Sequence, residues 1–240
     1  VMDDIDELVK IYESRKHEVE ILANSVLTFF QKEPTLKFGQ NDSVIHSLKC
    51  RIKETSHLRD KLKRKASESD PITKDNFFDR ITDLAGVRVL HLYNDQFSII
   101  HQAIMKYVDS GNWVLKEPPV ANTWDPEYKK YFEENGLQTE IRESLYTSVH
   151  YVIKPNKNPD SFCCEIQIRT LFEEIWGEIA HTIDYPHPTE SLACREQLKV
   201  LAKLASTGTR LADSIFRTLQ EHNRRRSDSL MSSQIKGTVE

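Results

Sequence analysis

Glycine is scarce in this sequence, with seven residues in 240, and none of them forms a G-x-G-x-x-G or G-x-x-x-x-G-K-[S/T] run. The backbone loops that cradle phosphate in many nucleotide-binding folds are therefore excluded, and any phosphate held here must be held by side chains. No apolar run reaches the roughly 18 to 20 residues of a membrane span, and no charged-then-apolar signal segment opens the chain. The four cysteines, Cys50, Cys163, Cys164 and Cys194, match no zinc-ligand spacing. Neighbouring Cys163 and Cys164 would face opposite sides of a strand, so reduced structural thiols, and with them a cytoplasmic protein, are the expectation. A surplus of positive charge is also missing: Lys+Arg 33 against Asp+Glu 37 gives a formal charge of −4. That rules out a uniform basic coat for nucleic acid and leaves local patches open.

What is present describes a globular chain with a real core, 38% hydrophobic and 29% charged. Residues 3–31 place Ile5, Leu8, Val9, Tyr12, Val19, Leu22, Val26 and Phe29 at helical spacing, which Pro34 stops. At Ile45 the period changes to two: Leu48, Cys50 and Ile52 alternate with Ser47, Lys49, Arg51 and Lys53. Thr55 or Ser56 then caps a helix that turns Leu58 and Leu62 inward and a basic face outward. After a turn at Asp70-Pro71, a helical piece with Phe77 and Phe78 leads to "DLAGVRVLHLY", an apolar strand expected to be buried on both faces. Residues 94–110 read as helix, and 111–140 as irregular, with a short helix around "PEYKKYFEE". A second alternating strand, "SLYTSVHYVI", sets Leu145, Val149, Tyr151 and Ile153 against Tyr146, Ser148 and His150. A turn at 155–159 leads to a third, "FCCEIQIRT", with Glu165, Gln167 and Arg169 on one side and Cys164, Ile166 and Ile168 on the other.

The helix expected over 171–184 carries Phe172, Ile175, Trp176, Ile179 and Ile183 inward and ends at Pro186. A longer one over 194–222 carries Leu198, Leu201, Leu204, Leu211, Ile215 and Leu219. The chain divides into a helical segment over 1–40, a core over 41–190, a helix over 191–223 and a tail over 224–240 expected to be disordered. The class is α+β, a mixed sheet with flanking helices and long helices at both ends.

Three strands thus present chemistry with period two: Lys49, Arg51 and Lys53; Tyr146, Ser148 and His150; Glu165, Gln167 and Arg169. If their polar sides share one face of one sheet, that face holds cations for phosphates, a ring for a base and separated carboxylates, with Asp83, for Mg²⁺. Taken singly, each is also what a half-exposed strand looks like.

Five segments in order, "RIKETSHLRDKLKRK", "DLAGVRV", "YTSVH", "EIQIRT" and "WGEIAHTIDY", resemble the synthetase domain of the RelA/SpoT-homologue alarmone synthetases over roughly residues 45–185. The resemblance implies a nucleotidyltransferase-like synthetase fold and a Mg²⁺-dependent pyrophosphokinase that moves the β,γ-diphosphate of ATP to the 3′-hydroxyl of GDP or GTP. It implies that Arg51, Lys53, Lys61 and Arg88 serve ATP. Asp83 and Glu165 fit the metal carboxylates, with Glu165 also a base for the attacking hydroxyl. Arg142, Tyr146, His150 and Gln167 fit the acceptor side, Tyr146 as the ring that stacks on guanine. In "RESLYTSVH" the sequence departs from the family, with Arg142 where a lysine is expected and Ser144-Leu145 in place of Asn-Gly.

No second catalytic module is visible, which implies a stand-alone synthetase or an excised domain, with a homo-oligomer and an inhibitory partner protein as expected associations. Two other readings stand beside this one: a toxin-like relative that modifies the tRNA 3′ end or an adenine nucleotide, and a nucleotide-binding regulator without catalysis.

Overall fold

The computed structural model describes residues 2–40, 42–66, 71–156, 162–184 and 189–236. The expected turns at Asp70-Pro71 and 155–159 and the stop at Pro186 fall wholly or partly outside the described residues.

Helix α1, Met2–Lys32, buries Ile5, Leu8, Val9, Tyr12, Val19, Leu22, Val26 and Phe29 as its period requires. Strand β1, Ser47–Ile52, is followed by α2, Thr55–Lys65, and α3, Phe77–Arg80. Glu54, not Thr55 or Ser56, occupies the N-cap of α2, and it makes no side-chain cap bond. Strand β2, Ala85–His91, and helix α4, Asp95–Asp109, come next. The supposedly irregular segment contains β3, Trp113–Leu115, β4, Val120–Thr123, α5, Pro126–Glu134, and β5, Gln138–Ile141. Strands of three or four residues are too short to display a period, which is why the sequence hides them. The helix there is the one expected: Asp125 caps it by accepting from the Glu127 amide at 2.9 Å, and Pro126 opens it.

Strands β6, Ser148–Pro155, and β7, Cys164–Thr170, complete a seven-stranded sheet ordered β1-β2-β7-β6-β4-β5, with β3 also paired to β6. The pairs β2–β7 and β4–β5 are parallel and the others antiparallel, giving the mixed sheet of an α+β protein. Register decides what this sheet can do. Lys49, Arg88, Gln167 and His150 lie in one cross-strand row, and Arg51, Gly86 and Glu165 in the next. The polar sides of three strands therefore share a face. The other face presents Val87, Val89, Ile166, Ile168, Val149 and Tyr151 to a core completed by α1 and α4. Buried hydroxyls there are satisfied: Tyr12 donates to the Lys53 carbonyl at 2.5 Å, and the Tyr151 hydroxyl lies 2.7 Å from His101 Nδ1.

Several local expectations give way to tertiary context. Strand β2 is buried on both faces only in its second half, at Val89, Leu90 and His91, because Gly86 and Arg88 open onto a cavity. Cys50 is exposed, since β1 is the sheet edge. Strand β6 begins at Ser148, and Leu145, with φ 62°, sits in a tight turn before it.

Helix α6, Leu171–Asp184, departs furthest from its pattern. Its start is a capping box in which the Thr170 amide donates to Glu173 at 2.9 Å and the Glu173 amide donates to Thr170 Oγ1 at 3.3 Å. The helix then buries Glu173, Glu174 and Trp176, and leaves Phe172, Ile175 and Ile179 at 39, 55 and 40% exposure. It covers the polar face of the sheet, so carboxylates turn inward to meet cations and the aliphatic stripe turns out.

Helix α7, Leu192–Lys236, is fixed in the same way. Ser206 donates to Asp125 at 2.6 Å and the Asn94 amide donates to Asp213 at 2.6 Å, while Leu204, Leu211, Ile215 and Leu219 stay exposed. Where a disordered tail is expected, the helix continues to Lys236, because extending an existing helix costs far less than starting one.

Candidate functional site

A cavity of 410 Å³ lies between the polar face of the sheet and α6. Its walls include Lys49, Arg51, Lys53, Asp83, Arg88, Glu165, Gln167 and Arg169. The charges interlock. Lys53 and Lys61 reach opposite oxygens of Asp83, at 2.6 and 2.8 Å. Burial alone would raise the Asp83 carboxyl, but Lys61 and Lys53 outweigh it and hold the group below the usual carboxylate range. Burial lowers Lys53 against the pull of the same aspartate. Glu165 has a comparable balance: burial raises it, and the His150 and Gln167 contacts at 3.2 and 2.9 Å bring it below its ordinary value.

On the α6 side, one buried carboxylate organises three cations. Glu174 contacts Lys49 at 2.6 Å, Arg88 at 2.9 Å and Arg169 at 2.6 Å, and Glu178 one turn later takes Arg88 at 2.6 Å. The sequence pattern gives Glu174 no part; the available signal was a carboxylate pair four apart on the helix that follows the strand. Arg169 fits because residue 177 is glycine, where a Cβ would sit 2.5 Å from its Nη1. The guanidinium carbon lies 5.9 Å from the centre of the Tyr146 ring, within cation–π range, and Arg169 Nε is buried without a hydrogen-bond partner.

Beyond Gly177 a second cavity of 470 Å³ opens between the 143–146 loop, α6 and α7. Leu145, Tyr146, Trp176, Ala180 and Leu198 make its apolar walls, and it shares Gly177 and His181 with the first. His150 joins the two: Tyr146 Oη is 3.0 Å from His150 Nε2, and His150 Nδ1 faces Glu165. Burial pushes the Tyr146 hydroxyl up, so it stays protonated and able to donate to that ring.

The structure thus gathers Arg51, Lys53, Asp83, Arg88, Glu165 and Gln167 around one cavity, with Lys61 attached through Asp83. Tyr146 lines the second cavity and His150 stands between them. Arg142 joins neither wall. It donates from Nε to Asn122 at 2.5 Å and pairs with Glu140 at 2.7 Å, on the β4–β5 side.

Two carboxylates on one cavity fit Mg²⁺, which takes one or two protein carboxylates and fills its shell with water and substrate phosphate. Among the described residues no three or more of His, Cys, Asp and Glu converge, so an ion here would need ligand oxygens as well. All four cysteines are free thiols, and no helix among the described residues is long and apolar enough to cross a membrane.

Comparison with known proteins agrees with this architecture. The chain is similar in fold to the small alarmone synthetase 1 of Bacillus subtilis, 20% identical with a TM-score of 0.64 over 90% of this chain and 99% of that one. The same Bacillus protein bound to its product pppGpp matches at 19% and 0.60, over 88% and 96%. A GTP pyrophosphokinase family protein from Streptococcus pneumoniae matches at 18% and 0.61, over 89% and 94%. No curated protein sequence matches the chain. Residues 50–190, which contain nearly all of the first cavity's walls, match the model described as the region found in RelA/SpoT proteins. More than half of the chain carries that region, and the protein belongs to the RelA/SpoT family.

Proposed function

We propose that the chain is a pyrophosphokinase that transfers the β,γ-diphosphate of ATP to the 3′-hydroxyl of GDP or GTP and releases AMP. The observation that carries this reading is the register of β1, β2 and β7, which sets Arg51, Arg88 and Glu165 beside Lys53 and Asp83 in one cavity next to the Tyr146 pocket. The first cavity suits the donor: Arg51, Lys53, Lys61 and Arg88 supply charge for a triphosphate, and each lies on an element fixed by the sheet or by Asp83. The second suits an acceptor base stacked on Tyr146. The Bacillus neighbour is known with AMPCPP and with pppGpp, ligands of matching chemistry.

Asp83 and Glu165 would hold Mg²⁺, which when bound neutralises phosphate charge. The chain's own residues supply the rest. Lys53 and Lys61 hold Asp83 ionised, and His150 and Gln167 do the same for Glu165. The 3′-oxygen bonds to the β-phosphorus while the bond from that phosphorus to the α,β-bridging oxygen breaks. The hydroxyl proton passes to Glu165, and AMP leaves with the bridging electrons. Helix α6 covers the face and limits competition from water. The free thiols fit a reducing cytoplasm.

The test supplies Mg²⁺ and γ-labelled ATP with GDP, GTP, ADP or deacylated tRNA in turn. Label is expected on the guanine nucleotides and absent with Glu165→Ala. Label on tRNA alone would replace the acceptor, and no transfer to any of the four would remove the enzymatic reading.

A further inference from the structure

The turn before Tyr146 separates two residues that the family resemblance places together. The Leu145 amide closes onto the Arg142 carbonyl at 3.0 Å, and Leu145 adopts φ 62°. This reversal sends Tyr146 into the second cavity and leaves Arg142 with Glu140 and Asn122. The acceptor side has its ring but not the cation expected from that loop.

Other cations stand at this cavity. Arg195 and Lys199 of α7 line it, four residues apart and so on one face of the helix, about 6 Å apart along its axis. The Arg195 guanidinium has no ion-pair partner among the described residues, and Lys199 holds only the exposed Glu196 at 2.7 Å, a pair of a kind that exchanges at little cost. The backbone that carries them is anchored, because Trp176 Nε1 donates to the Leu198 carbonyl at 3.0 Å and Ser206 to Asp125.

Resting on the acceptor reading given above, we propose that Arg195 and Lys199 hold the 5′-phosphates of the acceptor nucleotide, so that α7 forms one wall of the acceptor site. Two cations within one helical turn match the compact charge of a nucleoside di- or triphosphate. The pocket takes one base between Tyr146 and the Trp176–Leu198 wall. A nucleic-acid strand fits less well: Glu143 and Asp184 also line this cavity and Glu196 pairs with Lys199, so further phosphates would meet carboxylates rather than a line of cations.

Calorimetric binding of GDP and of guanosine, which lacks the phosphates, tests this without any turnover. The wild type is expected to bind GDP at least tenfold more tightly than guanosine. In Arg195→Ala/Lys199→Ala that preference should collapse to about threefold or less, with guanosine and AMPCPP affinities unchanged. Both positions are exposed on a helix that accepts alanine, and the thermal melting curve reports whether the fold is kept. An unchanged GDP preference in the double variant overturns the inference and leaves the acceptor reading standing. Loss of the preference in Arg142→Ala instead returns the phosphates to that residue. If the wild type binds neither GDP nor guanosine, the acceptor reading falls and the inference with it. If deacylated tRNA is bound by the wild type and lost in the double variant while GDP never binds, the occupant is a nucleic acid and the inference is wrong.

Discussion

The two cavities meet at Gly177 and His181, yet they are built in opposite ways. The first stands on strands, with nearly every charge held by another: Asp83 by two lysines, Glu165 by His150 and Gln167, and Glu174 by Lys49, Arg88 and Arg169. The second stands on a loop and two helices, with mainly apolar walls beside which Glu143, Asp184, Arg195 and Lys199 are the charged residues. A network of buried charges is rigid and intolerant, because removing one partner strands the others. A pocket with an apolar floor and exposed charges tolerates change one residue at a time. The first is suited to aligning a reaction and the second to selecting what reacts.

That contrast can be broken most severely at Asp83. Asp83→Asn keeps the shape and removes the charge that two lysines share, and diphosphate transfer should fall about a thousandfold, measured as initial rates of label transfer. A loss of less than about tenfold would show that the network is structural rather than catalytic. Next in size is Glu174→Ala, which leaves Arg169, 4% exposed, without its counter-charge and should cost about 3–5 kcal/mol in a urea denaturation series. A double-mutant cycle with Arg88→Ala should show coupling of about 1–3 kcal/mol, where independent residues would show none.

A smaller effect belongs to Glu173, buried in the capping box of α6. Burial raises its carboxyl from 4.5 to about 7, against the Thr170 hydrogen bonds that favour the ionised form. Between those values the folded chain keeps a proton that the unfolded chain releases. This contribution to stability therefore declines as pH rises from 4.5 toward 7 and is level above. Glu173→Gln retains an oxygen for the cap and should flatten that slope, gaining about 1–3 kcal/mol at about pH 8 relative to wild type. Denaturation midpoints at about pH 5 and about pH 8 decide it. Arg142→Ala should change least, because its partners Asn122 and Glu140 lie away from both cavities. Transfer rates within about twofold of wild type and a stability change of about 0.5 kcal/mol are expected.

Much of the first cavity is legible in the sequence. Period-two alternation places Arg51, Glu165 and Gln167 on polar faces, and ordered motifs supply Asp83 and Lys61 there and Tyr146 in the second cavity. What stays hidden lies where local pattern and tertiary demand disagree. The aliphatic spacing of α6 points Phe172, Ile175 and Ile179 inward, but three cations beneath the helix pull Glu174 in and turn that stripe to solvent. In α7, Leu204 and Leu211 carry a helical period that the polar anchors Ser206 and Asp213 override. The short strands of 111–141 have too few residues to declare themselves.

The sequence by itself determined the α+β class, the central strands and which of their residues face which way, because side-chain alternation is a property of each strand alone. Only the tertiary structure decided that those faces share one sheet side, that Arg142 turns away from Tyr146, and that α7 carries Arg195 and Lys199 to the second cavity. Those outcomes depend on strand register, on one left-handed turn at Leu145 and on helix docking through buried polar contacts. Register and docking are set by contacts between residues far apart in the chain, and the turn by a backbone conformation rare for leucine, none of which a local period encodes.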